Sequence, residues 1–182
     1  MKRLHLIRHA KSSWSSGAIA DIERPLNKRG LKSCALMAEQ MVKAGCPFEP
    51  IFCSPAVRAQ STIENIAYKI EALSASSKAL QEKLGRSEVT WQTDPALYTF
   101  EMQDLLAWCQ QLNNSFSEAV VVGHNSALTD FVNTVSDQHL DNLPTCGYVQ
   151  LLLNIEKWQD LSSGTGEVLS LLTPKMFNAV SD

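Results

Sequence analysis

The chain has 182 residues with a formal net charge of −3, 45 % of them apolar and 19 % charged, the profile of an ordinary globular protein. This charge gives no reason to expect a nucleic-acid partner or an anionic membrane surface. Five scattered cysteines (Cys34, Cys46, Cys53, Cys109 and Cys146), with no Cys-x-x-Cys spacing, argue against a disulfide framework and a structural zinc site. A start at Met1-Lys2-Arg3 that leads straight into a short apolar run leaves no room for a signal peptide, so one cytoplasmic, monomeric domain over 1–182 is the expectation.

Leu4 to Ile7 reads as a strand that ends abruptly in Arg8-His9. Residues 12 to 23 are rich in Ser, Gly and Ala and predict a long loop, of a length that usually serves a purpose. Pro25 disfavours a helical Arg24, and Asn27 is placed to cap a helix whose buried face would be Leu31, Ala35, Ala38 and Val42, stopped by Gly45 and Pro47.

Ile51 to Cys53 predicts a second strand. Ser54-Pro55 then predicts a helix entry with Ser as cap, Ala56, Ala59, Ile63, Ile66 and Ile70 buried, and Arg58 in the first turn. Residues 72 to 83 read as loop or weak helix, Val89 to Gln92 as a strand, Asp94-Pro95 as a turn, and Met102 to Leu112 as a helix.

Ala119 to Val122 is continuously apolar and β-branched, as strands buried on both faces are. It ends in Gly123-His124, with glycine expected where backbone approaches ligand, before a helix on Leu128, Phe131, Val132 and Val135. Tyr148 to Leu153 and Val168 to Leu172 are two further strands. The alternation predicts an α/β fold: a three-layer α/β/α sandwich with a mainly parallel central sheet.

Three predicted strand exits thus carry Arg8-His9, Ser54 with Arg58, and Gly123-His124. Parallel strands put such exits on one edge, where open α/β sheets bind ligands. Two guanidiniums suit a phosphoryl group, and one imidazole can attack phosphorus while the other donates to its oxygens. Arg8 beside His9 favours the neutral, nucleophilic ring.

Leu-Ile-Arg-His-Ala at 6–10, Ser-Pro-Ala-Val-Arg-Ala-Gln-Ser-Thr at 54–62 and Val-Gly-His-Asn at 122–125 resemble the histidine phosphatase superfamily, with its phosphoglycerate-mutase-like fold. Arg24-Pro25-Leu26-Asn27-Lys28-Arg29-Gly30 and the short chain resemble its small branch, the SixA-type phosphohistidine phosphatases. The resemblance implies that His9 is the nucleophile, that Arg8, Arg58 and His124 complete the phosphate pocket, and that Arg24 adds a basic group from the first loop. It implies no cofactor and no metal. Ala10 stands where many members have Gly.

Larger members carry a Leu-x-Glu or similar element that supplies a proton to the leaving group, whereas Pro95-Ala96-Leu97-Tyr98 holds no carboxylate. Asp21 is the first candidate for that proton, ahead of Asp94 and Glu101. A phosphohistidine whose other ring nitrogen is protonated leaves as neutral imidazole without an acid. The expected partner is therefore a phosphorylated protein of phosphorelay or phosphocarrier type, or a small phosphorylated substrate, with inorganic phosphate as product.

Four rival readings stand beside this one. Cys53 to Arg58 is one residue short of a cysteine-phosphatase Cys-x5-Arg loop, and Pro55 removes one of the amides such a loop needs. His5 and His9 have helical metal-ligand spacing within a strand, and His139 lies in a polar loop. A non-catalytic phospho-ligand module and a mutase are the other two.

Overall fold

The computed structural model describes residues 1–14, 17 and 19–178. Six strands, β1 (Lys2–Arg8), β2 (Ile51–Cys53), β3 (Gln92–Thr93), β4 (Glu118–Gly123), β5 (Tyr148–Leu153) and β6 (Gly166–Leu172), form one sheet in the order β3-β2-β4-β1-β5-β6. The first four run parallel, while β5 is antiparallel to both β1 and β6.

Residue parity along the strands sorts the core into two layers, because successive side chains of a strand point to opposite faces. Ala119 and Val121 of β4, with Leu4 and Leu6 of β1, pack under α4 (Met102–Gln110) and α5 (Ala127–Val135). Val120 and Val122, with Ile7, pack under α1 (Lys28–Lys43) and α2 (Val57–Ala75). This is the predicted three-layer α/β/α sandwich. Among the described residues no helix is long and apolar enough to cross a membrane.

Several predicted elements shift. The buried face of α1 is Cys34, Met37, Ala38 and Met41, whereas Leu31 and Ala35 face out. Gly30 explains the rotation, since a Cβ there would meet the Lys11 carbonyl oxygen at 2.3 Å. Only glycine lets the first turn of α1 lie against the backbone of Lys11, and this contact, rather than Leu31, sets which face turns inward. The predicted cap holds, with the Asn27 side chain accepting from Gly30 N at 2.9 Å.

Of the two readings of residues 72 to 83, loop or weak helix, the helix holds: α2 continues to Ala75, and α3 (Lys78–Leu84) follows, capped by the Ser77 hydroxyl. The predicted strand over Val89 to Gln92 gives way to the shorter, later Gln92–Thr93, which pairs with Phe52 and Cys53. Ser54 is not the cap of α2, which starts at Val57 after Ala56. Residues 15, 16 and 18 of the predicted first loop lie outside the described residues. The loop's base is not free coil: Ser12 bridges to Leu26, Ser13 N donates to Pro25 O at 2.8 Å, and Asp21–Glu23 forms a 3-10 turn.

Candidate active site

The register fixes where the three exits meet. Arg8 pairs with Gly123 and Cys53 with Val122, so β4 lies between β1 and β2 and all three strands end at one edge. The backbone seals this edge: His9 N donates to Gly123 O at 3.1 Å and Ser54 N to Val122 O at 3.0 Å. A Cβ at Gly123 would meet nothing closer than Leu128 at 3.8 Å, so protein packing there does not require glycine.

His9 is buried, and its Nδ1 lies 2.8 Å from the carbonyl oxygen of Ala10. An acceptor at that place makes Nδ1 the protonated nitrogen and puts the lone pair on Nε2, where it accepts from Arg58 Nε at 3.4 Å. Burial, reinforced by the nearby Arg58, Arg8 and Arg24 charges, lowers the His9 pKa to about 4, against the opposing effect of the Ala10 carbonyl. The ring is therefore neutral at physiological pH.

Arg58 enters from the first turn of α2 with its Nε 3.4 Å from His9 Nε2. Its two terminal nitrogens are occupied: Nη1 donates to the Asp21 carbonyl oxygen at 2.6 Å and Nη2 to Asp21 Oδ2 at 2.9 Å. The Thr62 hydroxyl accepts from Ala10 N at 2.8 Å and donates to Arg58 O at 2.6 Å, linking the His9 segment to the helix that carries Arg58.

His124 stands 5.2 Å from His9, ring centre to ring centre, among Tyr98 and Phe100. Its Nε2 is 2.7 Å from the Ser54 hydroxyl, whose oxygen accepts from Ala56 N. Burial first, then the neighbouring His9 and Arg58, lowers its pKa to about 3. Three buried polar atoms at this edge have no hydrogen-bond partner among the described residues: Arg8 Nε, His124 Nδ1 and Asn125 Oδ1. Buried polar groups are nearly always matched, so these atoms take a partner from outside the chain, water or a bound group. Nη1 of Arg8 donates to Leu143 O at 2.7 Å and to Asn142 Oδ1 at 3.3 Å.

Arg24 joins from the first loop. It donates to Asp21 Oδ1 at 2.8 Å, to Ser13 O and to the Ser12 hydroxyl, and its guanidinium lies 3.4 Å over the Trp14 ring. A cavity of about 290 Å³ is bordered by Arg8, His9, Arg24, Arg58, Trp14 and Lys11, among others.

Asp21 is at this site, but its state does not fit a proton donor. The Tyr98 hydroxyl, donating to Oδ2 at 2.6 Å, together with Arg58 and Arg24, lowers its pKa to about 2, so it carries no proton near neutrality. Asp94 is occupied elsewhere, Oδ1 accepting from Ala96 N and Oδ2 from Trp108 Nε1. Glu101 is exposed at the start of α4.

The rival centres fare differently. Cys53 is fully buried and its thiol is pushed well above the usual range by burial, unlike a reactive thiolate. His5 is held by Tyr148 Oη at 2.8 Å and Glu118 Oε2 at 3.0 Å, while His139 is exposed. Among the described residues no group of three metal-ligating side chains converges.

Sequence reasoning missed Tyr98, Ser54 as the partner of His124, Thr62 as the bridge, and Trp14. The one available signal was Tyr98 within the segment searched for a carboxylate.

Comparison with known proteins supplies the family. The model of the histidine phosphatase superfamily (branch 1) matches residues 4–115, more than half of the chain. An uncharacterized chloroplastic protein of Arabidopsis thaliana is 24% identical over 173 residues, which cover 91% of this chain and 72% of that protein. The fold resembles that of the protein histidine phosphatase SixA solved with tungstate, with a TM-score of 0.70 and 18% identity over 96% of this chain and 98% of the other. A mycobacterial glucosyl-3-phosphoglycerate phosphatase superposes with a TM-score of 0.59 and 13% identity, covering 92% and 97%. A sheet edge that gathers Arg8, His9, Arg58 and His124 and a family match spanning two of the three strand exits agree: the chain belongs to the histidine phosphatase superfamily.

Proposed function

We propose that this phosphatase works through a phosphorylated His9 and that its substrate is a phosphohistidine carried on a protein. The observation that supports the first part is the Nδ1–H to Ala10 O bond, which fixes the tautomer with the lone pair on Nε2, held only by the long 3.4 Å bond from Arg58 Nε. Nε2 attacks phosphorus, the bond from phosphorus to the leaving atom breaks, and the electron pair stays on that atom. Phospho-His9 is then an imidazolium that keeps its Nδ1 proton. When water attacks phosphorus, the P–N bond breaks, its electron pair returns to Nε2 and His9 is neutral again. Water's proton passes to the released phosphate or to solvent.

Arg8, Arg24 and Arg58 neutralise the phosphoryl oxygens, and His124 donates through Nδ1 while the Ser54 hydroxyl donates to its Nε2. Such stabilisation does most of the work in phosphoryl transfer. The ionised Asp21 supports the substrate class. An alkoxide leaving group needs a proton that Asp21 does not carry, whereas a phosphohistidine with its second ring nitrogen protonated departs as neutral imidazole.

The test is a panel of phosphohistidine proteins, phosphoserine peptides and small phosphate esters, assayed without added metal. Phosphohistidine should give the highest kcat/KM. A preference for a small ester would overturn the substrate class, and absence of turnover throughout would favour a phospho-ligand binding module.

A pH profile tests the nucleophile separately. With His9 titrating at about 4, kcat/KM should be level from pH 5 to 7 as far as this group is concerned. Below pH 4 it should fall about tenfold per unit as the lone pair is protonated. Measurements are confined to the range where circular dichroism shows a folded chain. An acid limb centred near 6.5 would mean a solvated, ordinary imidazole and would reject this assignment.

A further inference from the structure

A second cavity, of about 270 Å³, adjoins the catalytic one and shares Lys11 and Thr145 with it. Arg29 and Ser33 of α1, Lys175 and Asn178 form the rest of its polar wall, and among the described residues no carboxylate borders it. Arg24 and Arg58 are both paired with Asp21. By contrast, none of Lys11, Arg29 and Lys175 has an ion pair among the described residues. In a chain of net charge −3, three unpaired cations around one cavity are a local concentration rather than a general trend.

Helix α1 adds an independent sign. It begins Lys28-Arg29-Gly30-Leu31-Lys32, with no acidic residue in its first turn. Cations at a helix N-terminus oppose the positive end of the macrodipole and are locally unfavourable. Here the positive helix end and the three cations act together, so the field at the cavity is one that an anion would relieve. Arg29 and Lys175 are exposed, so the walls are surface side chains rather than a closed chamber. This suits carboxylates standing on a partner's surface better than a small molecule enclosed on all sides.

We propose that the cavity of Lys11, Arg29, Ser33 and Lys175 is an acidic-side-chain subsite, which takes Asp or Glu lying beside the phosphorylated residue of a protein substrate. It rests on the protein-substrate reading above and adds a sequence preference to it. Lys11, on the wall between the two cavities, faces both the phosphoryl group and the flanking carboxylate.

The experiment compares wild type with an Arg29→Glu, Lys175→Glu double variant, neither residue belonging to the phosphate pocket. Substrates are matched phosphohistidine peptides with acidic or neutral neighbours, the same pair built on phosphoserine, a small bisphosphate and a generic aryl phosphate. The variant should lose about tenfold or more in kcat/KM on the acidic peptide, mostly through KM, with the gap narrowing at about 0.5 M salt as the charges are screened. Its turnover of the neutral peptide and of the aryl phosphate should match wild type.

Equal loss on all substrates would reveal a structural defect and overturn the subsite. So would a wild-type enzyme indifferent to acidic neighbours, or a loss confined to the small bisphosphate. Acid-dependent turnover of phosphoserine but not phosphohistidine peptides would uphold the subsite while removing the phosphohistidine reading.

Discussion

Replacement of His9 by alanine is expected to lower turnover by about 10⁵-fold, the order seen when a covalent nucleophile is removed and the surrounding charge stabilisation is kept. The size follows from what remains. Arg8, Arg58 and His124 still surround the phosphoryl group, so binding survives while the covalent path is lost. The same substitution should abolish the labelled intermediate. Wild type, quenched during turnover, should carry an acid-labile, base-stable phosphoryl group that maps to His9. Cys53→Ala is the companion variant, because the competing cysteine mechanism demands the opposite pattern. Full activity in His9→Ala together with loss in Cys53→Ala would reject the mechanism.

Arg58→Ala should come next in severity, with kcat/KM down by about 10² to 10³, the usual cost of one preorganised donor to developing charge. Two losses combine in it. The guanidinium whose Nε lies 3.4 Å from His9 Nε2 disappears, and Asp21 is left with fewer partners beside an incoming anion. Arg58→Lys should recover little. A lysine keeps the charge but cannot engage Asp21 through two nitrogens and His9 through a third, because it lacks the planar fork. A folded Arg58→Ala enzyme within threefold of wild type would remove Arg58 from the phosphate pocket.

The parts of this arrangement that were readable in the sequence share a physical cause. A strand buried on both faces is mostly apolar, with His5 of β1 the exception that Tyr148 and Glu118 satisfy, so the polar residue that ends it is conspicuous, as at Arg8 after Ile7 and at His124 after Val122 and Gly123. Helix α2 shows its face equally plainly, through small and branched residues at helical spacing.

Other parts left no such trace. The face of α1 is set by the approach of Gly30 to the Lys11 backbone, a contact between segments that periodicity within the helix does not encode. Strand β3 holds two exposed residues, so its extent depends on pairing with β2 rather than on burial. Tyr98 with Asp21 and Ser54 with His124 are single polar contacts across 77 and 70 residues, and one hydroxyl in a sequence announces no partner. The protonation of Asp21 was equally hidden, because it is decided by three groups that only the fold collects.

The Thr62 hydroxyl has a consequence for motion. It joins Ala10, next to His9, and Arg58 through one oxygen, with bonds of 2.8 and 2.6 Å. Slow breathing of α2 against the sheet therefore carries the imidazole and the guanidinium along as a unit. The two backbone segments that carry them would separate only when this oxygen releases one of its partners, which ties that event to local unfolding of the helix start. The chain can in this way keep the backbone spacing behind its two central groups constant through the thermal fluctuations of the layers that hold them.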